Sequence, residues 1–370
     1  MYGQKMNSKQ LKKILNHIFR RNDEISSKGG RSTPVMIWGT HGLGKTQMVT
    51  DFVKENGWKL AYCAPAQFEE MGDLHGIPVV VDPDKNVSGD EYTVYRPPEW
   101  APKLEGPGIL LLDDINRADD RILRGTMQLL QNFELMSWSL PPKWQIVCTA
   151  NPDNSDYSVT PMDDAMLTRL LHTTMLFEPR VWAEWAYSAG IDKRCISFVL
   201  TYPECVTGKR TTPRSLAQFF QQIETLPDFK AELDLVVALA MSSLDDITVT
   251  TFVSFINDDL QQLIDPEEIL QAEKFADVAG RISELAKGKN GVNRVDRIAT
   301  ICSRLYIHLT SNSYKPGTKD AGNLVEFLLM KEIPNDLKMS LYIDLQREAS
   351  KEVRAMLDDK RLARFLVSTM

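Results

Sequence analysis

Gly39-Thr40-His41-Gly42-Leu43-Gly44-Lys45-Thr46 follows directly on the apolar run Val35-Met36-Ile37-Trp38 and leads into a helical pattern that opens at Lys45. A buried strand, a glycine-rich turn and a Lys-Thr pair at a helix start have the layout of a P-loop. Each residue type has a physical task there. Glycines let successive backbone N–H groups curl around phosphate oxygens, the lysine reaches the β- and γ-phosphates, and the threonine hydroxyl ligates Mg²⁺. The positive end of the helix dipole favours the same anion. The stretch predicts nucleotide binding by residues Gly39 to Thr46 and the adjoining Gln47.

Working outward, Met48, Val49, Phe52 and Val53 mark the buried face of the helix, and Asn56-Gly57 ends it. Trp58 to Cys63 is a second strand, so the unit is β–loop–α–β with a right-handed parallel crossover. Upstream, Leu11, Ile14, Leu15, Ile18 and Phe19 recur at helical spacing and predict an amphipathic helix over Ser8 to Arg21. Downstream, Gly108-Ile109-Leu110-Leu111-Leu112 is an uninterrupted apolar strand that runs into Asp113-Asp114. Central parallel sheets place their chemistry at that carboxyl end. Asp113 is expected to hold Mg²⁺ and Asp114 to orient or deprotonate the attacking water. For either acid alone, a helix cap or a solvated carboxylate is the plainer alternative. The strand Trp144 to Ala150 ends in Asn151-Pro152, and Asn151 either bonds the γ-phosphate or the lytic water or is an ordinary turn asparagine.

Between these strands, Ala66 to Pro98 reads as a β-hairpin inserted into the α/β core, with aromatic cross-strand pairs if it is only a surface ribbon. Asp119 and Asp120 cap a helix that buries Ile122, Leu123, Thr126, Met127, Leu129 and Leu130, and a short hairpin spans Leu135 to Pro142. Arg117, Arg121 and Arg124 share a face suited to solvent or to a subunit contact. From Pro179 onward the pattern is helical. Thr212 and Pro213 have the N-cap and first-turn chemistry of a helix that carries Arg214, and Lys287 to Asn293 is a candidate joint.

The 370-residue chain carries a formal charge of -7, which argues against general polyanion binding. Its five cysteines lack C-x-x-C spacing and suit free buried thiols in a reducing compartment. With no stretch apolar enough to span a bilayer and no signal-peptide pattern, a cytoplasmic location is expected.

In order and spacing these motifs resemble the AAA+ ATPases, and within them the MoxR group. The resemblance is clear over about Pro34 to Gln222 and loose beyond. It is carried by Gly39 to Thr46, Asp113-Asp114-Ile115-Asn116-Arg117-Ala118, Thr149-Ala150-Asn151-Pro152, Ala165-Met166-Leu167-Thr168-Arg169 and Thr212-Pro213-Arg214. Asp73-Leu74-His75-Gly76 followed by a hairpin sits where MoxR proteins carry an insertion. The resemblance implies an α/β P-loop core with a parallel sheet in an αβα sandwich, followed by an all-α lid and a helical C-terminal region. The divisions expected are 1–32 for an N-terminal helix and linker, 33–178 for the nucleotide-binding domain with its 66–98 hairpin, 179–288 for the lid and 289–370 for a helical extension. It further implies ATP and Mg²⁺ as cofactors, with the metal on Thr46 and Asp113, Asp114 as the base and Asn151 as sensor 1. Arg169 becomes the arginine finger reaching a neighbour's γ-phosphate, and Arg214 becomes sensor 2. A homo-oligomeric ring, commonly a hexamer, a partner with a VWA domain and chaperone-like remodelling of a protein client follow from the same resemblance.

Two departures stand out. Most active members end the acidic strand Asp-Glu, whereas this chain has Asp113-Asp114. A base shortened by one methylene is displaced by about an ångström, which can cost on the order of 10²-fold in rate. The hairpin at Leu135 to Trp138 is also shorter than in many MoxR proteins. A nucleotide-gated adaptor with little turnover is therefore a competing expectation, and a DNA-acting clamp-loader or helicase relative is a third.

Overall fold

The computed structural model describes residues 2–81, 91–152, 159–257, 263–287 and 294–369. In it β1 (Gln4–Met6) and α1 (Ser8–Ser26) lead into β2 (Val35–Trp38), every residue of which is buried. There follow α2 (Lys45–Glu55), β3 (Lys59–Cys63), α3 (Met71–His75), β4 (Ile77–Val81) and β5 (Tyr92–Arg96). Next come β6 (Gly108–Leu112), α4 (Asp120–Gly125), α5 (Met127–Asn132), β7 (Glu134–Leu135), β8 (Trp138–Ser139) and β9 (Trp144–Ala150). The first compact unit, Met1–Phe177, closes with α6 (Asp164–Leu167) and β10 (Leu171–Met175).

Six of these strands form one parallel sheet in the order β1-β10-β2-β9-β6-β3. The continuous apolar runs are explained by burial on both faces. Val35, Ile37, Ile109, Leu111 and Val147 pack against α1 and α2 through Leu11, Leu15, Phe19, Met48, Val49 and Phe52. Met36, Trp38, Leu110, Leu112, Ile146 and Cys148 face the other way, onto Leu74, Ile122, Leu123, Leu129 and Leu130. Phe52 is fully buried and meets Phe19 edge-on at 5.8 Å. Truncating such a ring typically costs about 3–5 kcal/mol. Each of the five cysteines is buried and unbridged.

Several sequence expectations change in detail. The N-terminal segment carries a strand besides the expected helix: β1 pairs with β10, and α1 buries Leu11, Leu15 and Phe19 in the core. Gly3 allows that pairing, since at φ +75° an added Cβ would lie 2.0 Å from the carbonyl oxygen of His172. The helix after Asp119 is two helices, α4 and α5, divided at Thr126. β2 and β3 are separated by β9 and β6. The inserted hairpin is β4 paired antiparallel with β5, although Tyr92 faces Val81 and Tyr95 faces Pro78, so no two aromatic rings are paired across it. Its connecting residues 82–90 lie outside the described residues.

The regular elements of the second unit, Glu178–Met370, are all helices among its described residues. The unit begins with α7 (Pro179–Ser188), α8 (Lys193–Thr201) and α9 (Pro213–Ile223). The helix Val295–Thr310 runs through its middle, buried from Thr300 to Leu309 and packed on α7, α8, Phe275–Ala286 and Asn335–Glu348. The helix at the start of the expected 289–370 extension thus packs against helices on both sides of the expected boundary. Residues 288–293 of the expected joint lie outside the described residues. Among the described residues no helix is long and apolar enough to cross a membrane.

Candidate active site

The P-loop residues fold as their types demand. Gly42 and Gly44 have φ of +70° and +86°, and Gly44 is the N-cap of α2. No side chain caps that helix and no acid lies in its first turn, which leaves its N–H donors and positive pole for an anion. Lys45 is only 5% exposed. Its Nζ donates to the carbonyls of Gly39 at 2.8 Å and Thr40 at 3.1 Å and to Asn151 Oδ1 at 3.1 Å. The loop is thus curled around its own ammonium group.

The carboxylates stand beside it because β9 lies between β2 and β6. Thr46 Oγ1 donates to Asp113 Oδ1 at 2.8 Å, and Thr149 Oγ1 donates to the same oxygen at 2.7 Å. Asp114 takes a left-handed backbone, φ +48° and ψ +44°, and its N–H donates to Thr149 Oγ1 at 2.8 Å. Asn151 joins the two halves. Its Oδ1 accepts from Lys45 while its Nδ2 donates to Asp114 Oδ1 at 2.9 Å, so the amide orientation follows from a cation on one side and an anion on the other. Asn116 fixes the backbone of Asn151 from both ends: its Nδ2 donates to the Asn151 carbonyl at 2.8 Å and its Oδ1 accepts from the Asn151 N–H at 3.1 Å. Arg117 Nε lies 3.5 Å from Asp114 Oδ2.

These residues fit a magnesium nucleotide. Magnesium ordinarily takes one or two protein oxygens and completes its shell with phosphate and water, so Thr46 and Asp113 suffice as protein ligands. Among the described residues no group of three or more His, Cys, Asp or Glu side chains is arranged for a metal. A polar cavity in the helical unit is different in kind. Arg194, Arg281 and Arg304 in its wall are already paired with Asp192, Glu268 and Asp265.

The structure gathers Gly39, Thr40, Lys45, Thr46, Asp113, Asp114 and Asn151, while Gln47 and Arg169 of the same unit bond elsewhere. Gln47 is exposed and its Nε2 donates to Asp51 Oδ1 at 2.7 Å along α2. Arg169 follows α6, donating from Nε to Gln131 Oε1 at 3.0 Å and from its guanidinium to the Ala165 carbonyl. Arg214 is exposed in the first turn of α9, behind the Thr212 cap, in the second unit.

Thr149, Asn116 and Tyr62 carry no role in the sequence argument. Thr149 was discoverable, because it lies two residues before Asn151 on one strand and so shares its face. Tyr62 was not, since only the pairing of β3 with β6 brings its hydroxyl to 3.2 Å from Asp113 Oδ2. Partial burial and the negative charge of Asp113 push the phenol up to about 12, so it remains a donor at any working pH. Tyr62→Phe should raise the Mg²⁺ concentration needed for half-maximal turnover by about 2–10-fold, the worth of one ordinary hydrogen bond. A magnesium titration at saturating nucleotide checks this, and an unchanged midpoint would deny Tyr62 any part in holding Asp113.

No protein-family model matches the sequence, and no curated protein matches it. Solved structures similar to it include a mutant RuvB of Thermotoga maritima, at 14% identity and TM-score 0.41 over 72% of this chain and 76% of that one. The Thermotoga maritima RuvB Holliday junction branch migration motor is similar at 13% identity and TM-score 0.38 over 77% and 85%. A protein of Cytophaga hutchinsonii provisionally called an ATPase is similar at 14% identity and TM-score 0.31 over 97% and 87%.

Proposed function

We propose that this chain binds and hydrolyses MgATP as an AAA+ ATPase of the MoxR type. The observation that carries this is the Asn151 amide, which spans the Lys45 ammonium and the Asp114 carboxylate while Thr46 and Asp113 touch beside it. A phosphate-binding cation, a metal-holding pair and a candidate base thereby form one hydrogen-bonded unit at adjoining strand ends.

Bound MgATP supplies the γ-phosphoryl group and the ion that neutralises its charge. Lys45 would exchange its carbonyl partners for phosphate oxygens, with the N–H groups of the loop and of the α2 N-terminus around it. Thr46 and Asp113 would hold the metal, and Thr149 keeps Asp113 in place. Asp114 would receive the proton of the attacking water and Asn151 would orient that water. Arg169, offered to the next subunit of a ring, and Arg214 from the helical unit would meet the charge that spreads over the phosphoryl oxygens. Turnover coupled to assembly suits a hexameric remodeller of a protein client, with a VWA-domain protein as partner and the cytoplasm as its place of work.

Asp114→Asn tests the chemistry. It keeps the shape and removes the base, so phosphate release should fall by about 10²–10⁴-fold with ATP affinity little changed. Phosphate release by the unmodified protein, measured with Mg²⁺ at assembly-permitting concentration, is the companion experiment. ATP bound without release would replace this reading with that of a nucleotide-gated adaptor. One observation favours that second reading: Asp114 is short and held by both Asn151 and Arg117.

A further inference from the structure

Trp38 is the last residue of β2, immediately before Gly39, and His172 lies diagonally across from it on the adjoining β10. The indole Nε1 donates to His172 Nδ1 at 3.0 Å, and the two rings stack at 6.1 Å. An indole nitrogen can only donate, so Nδ1 is the acceptor and neutral His172 carries its proton on Nε2. That N–H points at the carbonyl of Leu167, 2.7 Å away. Leu167 closes α6, a single turn of four residues, and Arg169 lies two residues further on.

The two ends of this bridge differ in stiffness. Trp38 is 4% exposed in the middle of the sheet. The α6 turn exposes Asp164, Ala165 and Thr168 and is held from below by Met166 and Leu170. The turn is wound by its own bonds, from Met166 N–H to Asp163 Oδ1 at 2.8 Å and from the N–H groups of Leu167 and Thr168 to the carbonyls of Asp163 and Asp164. Those bonds fix its internal shape but not where it stands on the sheet, so the bond from His172 to the Leu167 carbonyl, which also accepts from Leu170 N–H at 3.3 Å, has leverage over its placement. We propose that His172 is a positioning residue for Arg169: locked in one tautomer by Trp38, it pins Leu167 and so sets where the arginine-bearing turn stands. This rests on the reading of Arg169 as a group offered to a neighbouring subunit. On that reading, the arginine a protomer presents outward is referenced to the strand that carries its own P-loop.

The experiment mixes two crippled subunits. Lys45→Ala protein keeps Arg169 but lacks a working site, and Arg169→Ala protein keeps its site but lacks the arginine. Mixed rings should recover phosphate release at sites shared between them. His172→Phe placed in the Lys45→Ala subunit should cut the recovered rate by about tenfold or more, since small misplacements of catalytic groups cost up to about 10²-fold. The same change in the Arg169→Ala subunit should cost less than about twofold, because Arg169 is absent there. His172→Gln, which can still donate to Leu167, should restore most of the rate. Should the phenylalanine variant melt early, Trp38→Phe takes its place with the same asymmetry expected. Equal losses in both placements, or no loss in the arginine-donating subunit, overturn the inference while leaving the ring reading intact. Failure of the unmodified pair to recover any activity overturns the ring reading, and the inference with it.

Discussion

An alanine at position 45 is expected to leave a folded protein that no longer retains ATP and releases no phosphate. Lys45 contributes a buried ammonium whose three identified acceptors all border the loop. Hydrogen bonds to charged groups are worth about 1.5–3 kcal/mol, so losing even one to a phosphate weakens binding by roughly 10–200-fold. The loss in turnover should be larger, because the lysine meets charge that grows toward the transition state. Folding should survive, since the apolar face of α2 at Met48, Val49 and Phe52 is untouched. Titration with a fluorescent ATP analogue and a thermal melt measure the two halves of this expectation. Undiminished affinity would remove Lys45, and with it the P-loop reading, from the mechanism.

Replacing Arg169 by alanine should give the opposite signature: normal assembly, normal ATP binding, and turnover lowered by about 10³-fold or more, the usual worth of a trans-acting arginine. None of its identified partners belongs to the Lys45, Asp113 and Asn151 network. Its removal should change stability by less than about 1 kcal/mol, as for most surface substitutions. Two other arginines, Arg180 and Arg210, stand as alternatives. Arg180 is paired with the Asp344 carboxylate at 2.9 Å, and Arg210 donates to the carbonyls of Met241 and Ser242. Arg169, like Arg210, is held by neutral oxygens, a weaker attachment than the carboxylate that holds Arg180. Turnover retained by the alanine variant would exclude it, and the search would return to Arg180 or Arg210.

What the sequence conveyed depended on how local each feature is. β2, β6 and β9 were legible because both faces of each strand are buried, so burial writes an unbroken apolar run. Asp113, Asp114 and Asn151 were legible as candidates because each follows such a run directly. β1 was not, since Gln4-Lys5-Met6 has little apolar character and is a strand only because Gly3 lets it lie against β10. The contacts of Tyr62 with Asp113 and of Trp38 with His172 join residues 51 and 134 positions apart, a separation that only the strand order determines. The helical half is harder to divide for a similar reason. A stretch rich in Gly, Lys and Asn at Lys287 to Asn293 suggests an edge, yet the helix just beyond it is buried from Thr300 to Leu309.

The left-handed backbone at Asp114 bears on how this site could change over time. A left-handed residue costs roughly 1–2 kcal/mol, least for Asp and Asn, whose short side chains bond locally. A glutamate introduced alone would lengthen the base, occupy a left-handed backbone that favours Asp and Asn, and disturb the bond from Asn151 in one step. Gain of reach and loss of conformational fit are therefore epistatic: the longer acid becomes advantageous only after the turn Asp114-Ile115-Asn116 has been recast. A lineage holding the short acid would be kept there by its main chain.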